Sequence, residues 1–232
     1  DGSVLKVYLD GTLEGAAIST SQGAGTSNTV LGQKAGAAIA SGTNYNVFIG
    51  DNAGNDCNSG DVNTIVGTFA GQLMTSGSNN VMIGGEAGKA ITATTTTVLI
   101  GQGAGAAINS TNANGTICIG YQSGDAITDA YYNTLVGTQS GGALTGDKNC
   151  IFGYNAGAIQ TSGDHSTYMG YEAGYYNSTG NNNTSIGSRA LTGTSNQSSS
   201  DNTAVGFSAL ITAYGTENTA VGSGALRTNT SG

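Results

Sequence analysis

Along this chain an apolar residue is followed by glycine, two variable residues and a small residue, at a near-constant interval. The glycines are Gly32, Gly50, Gly67, Gly84, Gly101, Gly120, Gly137, Gly153, Gly170, Gly187, Gly206 and Gly222, spaced 16 to 19 residues apart and most often 17. A unit this short cannot bury a hydrophobic face alone, so fixed-period repetition implies coils stacked one on the next. Stacked coils present a long surface with few natural clefts, which favours binding or spacing over catalysis.

With each glycine as position zero, position −1 is apolar in all twelve repeats and mostly Ile or Val, which suits strands. Position −3 is Thr, Val, Ile or Cys, and position −4 is mainly Asn. Side chains alternate across a strand, so −1 and −3 share one face and −2 takes the other. The period of two is clear and no stretch sustains a period of 3.6, so short strands and no long helix are expected.

Position −2 is also apolar in the first nine repeats, through Val30, Phe48, Ile65, Met82, Leu99, Cys118, Leu135, Ile151 and Tyr168. Strands apolar on both faces are buried on both sides. A thin coil can shelter one face only, so the other needs a second wall or another subunit. The expected oligomer interface is Val30, Phe48, Ile65, Met82, Leu99, Leu135, Ile151 and Tyr168. At about 4.8 Å per rung these would form a stripe roughly 40 Å long, more than soluble monomers usually expose.

The last three repeats differ in a paired way. Position −2 shrinks to Ser185, Ala204 and Ala220, while position +4 grows from Gly to Leu191, Leu210 and Leu226. The nine earlier repeats all have Gly at +4. Exchange of bulk between two positions implies that they share one packed layer of conserved volume. The chain therefore divides into residues 1–26, a cap or junction with a strand from Val4 to Leu9 and an Asp10-Gly11 turn; 27–180, a solenoid with Gly at +4; and 181–232, a solenoid with Leu at +4. Position +7 is apolar in the first seven repeats (Ile39, Cys57, Met74, Ile91, Ile108, Ile127, Leu144) and gives each coil a second inward anchor. Turn-rich segments such as Ser41–Asn44 and Ser162–Asp164 separate the anchors.

Composition narrows the classes. The 40 glycines come without proline or a G-X-Y period, which excludes collagen. Regularly placed Ile, Val and Leu exclude a disordered chain. A net charge of −8 excludes a basic nucleic-acid footprint, and no stretch approaches the ~20 apolar residues of a membrane helix, so no membrane insertion is expected. The chain starts DGSVLK, with neither signal peptide nor initiator Met, so a mature product or a fragment is expected.

Chemistry-bearing residues are few. Cys57, Cys118 and Cys150 lie in repeats two, six and eight, at least two rungs or about 9.5 Å apart, beyond the ~7 Å that a disulfide spans. Each sits in an apolar column, so they read as buried small hydrophobes, and unpaired thiols fit assembly in a reducing compartment. Ile49–Gly54 and Ile100–Gly105 match the hexapeptide of left-handed β-helix acyltransferases, but only one hexad per coil fits, and the sole histidine, His165, sits in a polar loop. The Gly101, Gly103, Gly105 run lacks the strand-to-helix context of a phosphate loop. Asp61, Asp147 and Asp164 share position −6 but do not converge as calcium ligands must. Thr94 to Thr97 lack the rank-after-rank repetition of an ice-binding array. No catalytic residue, metal or cofactor is expected. Eight of eleven tyrosines fall between residues 121 and 176. Tyr121, Tyr154 and Tyr171 occupy position +1, and Tyr131, Tyr132, Tyr175 and Tyr176 lie in connecting segments. Exposed tyrosines offer flat amphipathic contact at low entropic cost, so these seven are candidate contacts to a glycan or protein receptor, with stacking between coils as the structural alternative.

Asn202-Thr-Ala-Val-Gly206 with Ala209-Leu210, and Asn218-Thr-Ala-Val-Gly222 with Ala225-Leu226, resemble the head repeat of trimeric autotransporter adhesins. They are also similar to repeats in phage tail fibres and bacterial surface proteins that precede a self-cleaving intramolecular chaperone domain. The likeness is close over 183–232 and looser over 28–180, where Ala-Gly replaces Ala-Leu. It implies a homotrimeric, left-handed parallel β-roll used for attachment. The chain closes on Thr230-Ser231-Gly232 without a chaperone domain, so truncation or cleavage is expected. The expected function is a structural and adhesive segment of a phage tail fibre or receptor-binding protein, carried on the virion, with a bacterial cell-surface adhesin as the alternative. The alternative of another class is a hexapeptide-type acyltransferase or a polysaccharide-degrading fibre.

Overall fold

The computed structural model describes residues 18–19, 25–109, 113–194, 198–213 and 215–229. The expected strand from Val4 to Leu9 and the Asp10-Gly11 turn lie outside them. Among the described residues every regular element is a strand and there is no helix. A short β1 (Ile18–Ser19) precedes eleven three-residue strands: β2 (Thr29–Leu31), β3 (Val47–Ile49), β4 (Thr64–Val66), β5 (Val81–Ile83), β6 (Val98–Ile100), β7 (Ile117–Ile119), β8 (Thr134–Val136), β9 (Cys150–Phe152), β10 (Thr167–Met169), β11 (Thr184–Ile186) and β12 (Thr203–Val205). The chain ends with β13 (Thr212–Ala213), β14 (Thr219–Val221) and β15 (Thr228–Asn229).

Strands β2 to β12 and β14 form one parallel sheet in chain order, each pairing only with its neighbours, and β1 joins its edge antiparallel to β2. The fold is a parallel β-solenoid of about eleven turns. Equivalent repeat positions always pair, as in Val98↔Ile117 and Thr184↔Thr203, so the 16-to-19-residue variation is absorbed between strands. Register runs unbroken from β10 to β11 (Thr167↔Thr184), so the change in repeat type near residue 180 falls inside one continuous sheet.

Backbone hydrogen bonds ladder the turns as well as the strands. Gly67 N–H donates to Ile49 O at 2.8 Å, Asn52 N–H to Gln33 O at 2.8 Å, and Gly54 N–H to Ala70 O at 2.9 Å. The repeat glycine is required because the next rung passes against it: a Cβ on Gly50, where φ is +133°, would lie 2.7 Å from the carbonyl of Gly67.

The core lies inside each coil. The −2 side chain points inward, the strand burial pattern being intermediate–buried–intermediate on most rungs. It meets the +4 position and the +7 anchor there. A Cβ on Gly105 would sit 2.8 Å from Ile108 Cδ1 and 2.9 Å from Leu99 Cδ2. The shared layer read from the paired exchange is therefore real, and Leu191 and Leu210 fill it in the later rungs at 1% and 0% exposure. Both leucines adopt left-handed backbone, φ 46° and 50°, a conformation that glycine takes freely and leucine does not.

Two further polar columns hold the stack. Inside, the −4 asparagines form a buried ladder: Asn63 Nδ2–H donates to Asn46 Oδ1 (3.0 Å) and to Gly77 O (2.9 Å), while Asn63 Oδ1 accepts from the backbone N–H and Nδ2–H of Asn80 (3.0 and 3.1 Å). Outside, a side-chain oxygen at −6 accepts the backbone N–H of the preceding rung. Asp61 accepts from Asn44 at 2.6 Å, Asp147 from Tyr131 at 3.0 Å and Asp164 from Asp147 at 2.7 Å. Asn114 and Ser78 accept in the same way, which is why Asp, Asn and Ser interchange there. Unpaired buried partners are expensive, so Asn63→Ala is expected to lower stability by about 2–3 kcal/mol. In a quasi-one-dimensional stack the damage stays local, so amide exchange should accelerate first in the rungs of Asn46, Asn63 and Asn80. Unchanged exchange there would remove the ladder from the account.

Candidate functional site

With −2 turned inward, the other face of the sheet is left to solvent. Val30, Phe48, Ile65, Met82, Leu99, Leu135, Ile151 and Tyr168, expected to meet a partner, are instead buried in the chain's own core, Val30 at 6% exposure and the rest at 0%. The correction has a physical cause. Glycine at +4 in the first nine repeats leaves space inside each coil that the −2 side chain fills with the +7 anchor, so −2 is the interior face.

The face that a single coil cannot shelter is made by −1 and −3. Ile49, Val66, Ile83, Ile100, Ile119, Val136, Phe152, Met169 and Ile186 run up one column, beside Val47, Val81, Val98, Ile117 and Cys150 in the next. Ile83, Met169 and Ile186 are 37%, 42% and 39% exposed, and the others named are half-buried. No charged residue occupies either column in any of the twelve repeats. At about 4.8 Å per rung the strip is roughly 50 Å long and of order 500 Å², the upper end of what a monomer leaves bare.

The seven candidate tyrosines lie on the surface but do not form one patch. Tyr121, Tyr154 and Tyr171 project from the +1 column, each about half exposed. Tyr154 and Tyr171 stack on one another, centroids 5.5 Å apart and planes 8° from parallel, and the Arg189 guanidinium lies 5.8 Å from the Tyr171 ring. Arg189 is held there by Glu172 at 3.0 Å. The structural alternative, stacking between coils, therefore describes this pair. Tyr131 and Tyr132 meet edge to face at 5.2 Å on the column that carries Asp147, and hydrogen bonding to Asp147 pushes the Tyr131 phenol above its ordinary pKa. Tyr175 and Tyr176 form a second edge-to-face pair at 4.5 Å.

Tyr175 lines a groove. The groove, ≈ 320 Å³, spans rungs six to nine. Its lining brings Asp125, Gln139, Asn155 and Tyr175 together with the small residues Gly142 and Ala158. Burial pushes the Asp125 carboxyl above its ordinary pKa. Reading one repeat at a time does not find this groove, because its six named residues come from four successive coils. The available signal was the run of small residues at +5 in repeats seven and eight, between Asp125 and Tyr175.

The remaining chemistry-bearing residues lie apart from this groove. Cys57 and Cys118 are buried thiols, raised in pKa by burial and, for Cys118, pushed up to about 12, whereas Cys150 is half-buried on the outer sheet face. Burial also pushes the Tyr168 phenol up to about 12, and its oxygen accepts a hydrogen bond from Asn177 Nδ2 at 3.1 Å. This hydroxyl accounts for Asn177 at +7 in the ninth rung, where the first seven rungs carry Ile, Cys, Met or Leu; Gln160 in the eighth donates instead to Gly163 O at 3.0 Å. Thr94 and Thr97 are buried, so they present no threonine surface. His165 is exposed on a left-handed residue. Among the described residues no three His, Cys, Asp or Glu side chains gather as a metal site.

Fold and surface together define a class: a β-solenoid repeat protein with an uncharged, largely apolar sheet face and a short groove of mixed polar and apolar lining. No family model, curated protein sequence or solved structure matches the chain.

Proposed function

We propose that this chain is a structural and adhesive segment of a homotrimeric fibre, of the phage tail fibre or receptor-binding type, that carries host-surface contacts on a stiff rod. The observation that carries the reading is the outer sheet face, where −1 is apolar in every rung and −3 is an uncharged Val, Ile, Cys or Thr. Packing it against the same face of other copies removes from water a strip that a lone rod leaves wet, and the repeat likeness to trimeric heads supports three copies. The mechanism is mechanical and adhesive: laddered backbone bonds resist bending, and repetition in three chains turns weak contacts into avidity.

Size-exclusion chromatography with light scattering tests the assembly. A trimer is expected, and a clean monomer overturns the reading. Cys150 then reports which face is buried, because Cys57 and Cys118 are inside the coil and Cys150 lies at −3 on the outer face. A short bismaleimide is expected to yield covalent dimers in denaturing gels, and Cys150→Ser should abolish them. Full modification of Cys150 by a monofunctional maleimide, without any cross-linking by the bifunctional one, would count against a −1/−3 interface.

A further inference from the structure

The groove between rungs six and nine is a concave site whose lining includes no residue of the −1/−3 sheet face. Asp125 belongs to rung six, Gln139 and Gly142 to rung seven, Asn155 and Ala158 to rung eight and Tyr175 to rung nine. Three rung intervals make it about 14 Å long. It opens where rungs seven and eight carry glycine and alanine and rungs six and nine carry Asp125 and Tyr175. The gap is thus written into side-chain size at successive copies of one repeat position.

We propose that this groove binds a short neutral saccharide, with the Tyr175 ring as stacking face and Gln139, Asn155 and Asp125 as hydroxyl partners.

The chemistry of the lining selects that class. A pyranose ring has an apolar C–H face and a rim of hydroxyls that both donate and accept. Tyr175 is half-buried and braced edge to face by Tyr176 at 4.5 Å, so its ring gives an amphipathic surface at little entropic cost. The two amides each donate and accept, and the carboxylate accepts. The lining contains no Lys or Arg, and its one charge is Asp125, so an anionic ligand meets no counter-charge and one repulsion. Partial desolvation of Asp125 strengthens its hydrogen bonds to hydroxyl donors. The volume lies at the low end of small-molecule pockets, suited to a short oligosaccharide end. This inference rests on the adhesive half of the proposed function and is independent of the trimer.

Gly142 supplies a clean test. Its backbone is outside the left-handed region, and a Cβ there would meet Asp125 Oδ1 at 3.5 Å and Ala158 O at 3.6 Å, ordinary contacts. Gly142→Leu should therefore fill the groove while leaving the melting temperature unchanged. The whole chain would be screened by saturation-transfer NMR against neutral gluco-, manno- and galacto-configured trisaccharides, with sialyllactose and trilysine as anionic and cationic comparators. Binding of a neutral trisaccharide is expected, weakened at least about tenfold by Gly142→Leu and by Tyr175→Ala, and unaffected by Tyr131→Ala with Tyr132→Ala. Binding of no neutral probe, binding only of trilysine, or neutral binding that survives Gly142→Leu would each overturn the assignment. If light scattering still gives a trimer in such a case, the groove alone has failed; a monomer overturns the fibre reading without touching the groove result.

Discussion

Leu99→Glu should prevent the chain from folding, whereas Ile100→Glu, the next residue, should leave the rod folded and dissociate it. Leu99 has no exposed surface and packs against the positions of Gly88 and Gly105 in its own chain. A carboxylate there has no partner, and the loss of apolar packing adds to its desolvation, for a total of about 5 kcal/mol or more. Ile100 lies on the opposite face, half-buried and pointing away from the core. A charge there stays hydrated in a single chain and becomes unfavourable only when another copy covers it. Circular dichroism through a thermal melt, with light scattering on the same samples, separates the two. Equal behaviour of the variants, whether both fold as assemblies or both unfold, would contradict the assignment of inward and outward faces.

Gly105→Leu and Leu99→Ala should each destabilise the chain strongly, yet together recover much of the loss. Gly105→Leu alone forces a side chain into space held by Ile108 and Leu99, on backbone with φ +58°. Overpacking and left-handed strain together cost about 4 kcal/mol. Leu99→Ala alone opens a cavity, at about 2–5 kcal/mol. The double variant reproduces the arrangement of the eleventh rung, where Ala204 lies inside with Leu210 at +4, φ 50° and 0% exposure. A favourable coupling of about 2 kcal/mol or more is expected from the double-mutant cycle. Additive losses would mean that the two positions do not share space, and the volume argument would fail.

That exchange also shows how far the residues could be read without coordinates. Strand positions, the lack of a long helix among the described residues, register through the glycines and the shared −2/+4 layer are all legible, because each follows from contacts within a repeat or between adjacent copies of one position. The inward direction of −2 was legible too, and was misread. A position whose bulk is exchanged against +4 of the same chain must lie in that chain's interior, so Phe48 and Leu99 belonged inside and Ile49 and Ile100 outside. Alternation alone assigns two faces without saying which is which, and both faces here are apolar.

The surface chemistry was less accessible. The tyrosines were visible as a cluster in sequence, but whether Tyr154 offers a free face or stacks on Tyr171 depends on ring orientation across a rung. Asp61, Asp147 and Asp164 looked like isolated loop carboxylates until stacking put each oxygen against a backbone N–H of the rung before. The groove is the extreme case, since Asp125 and Tyr175 are fifty residues apart in sequence and three rungs apart in space.

Repetition writes the coil into the chain, since hydrophobic period, glycine spacing and conserved volume are local quantities that any one repeat displays. Assembly of a surface is non-local: which side chains cover one another, and which gap stays open across successive coils, depends on which residues of different repeats the stack brings side by side. The interior of this protein is thus a property of its repeat, and its outer surface is a property of the stack.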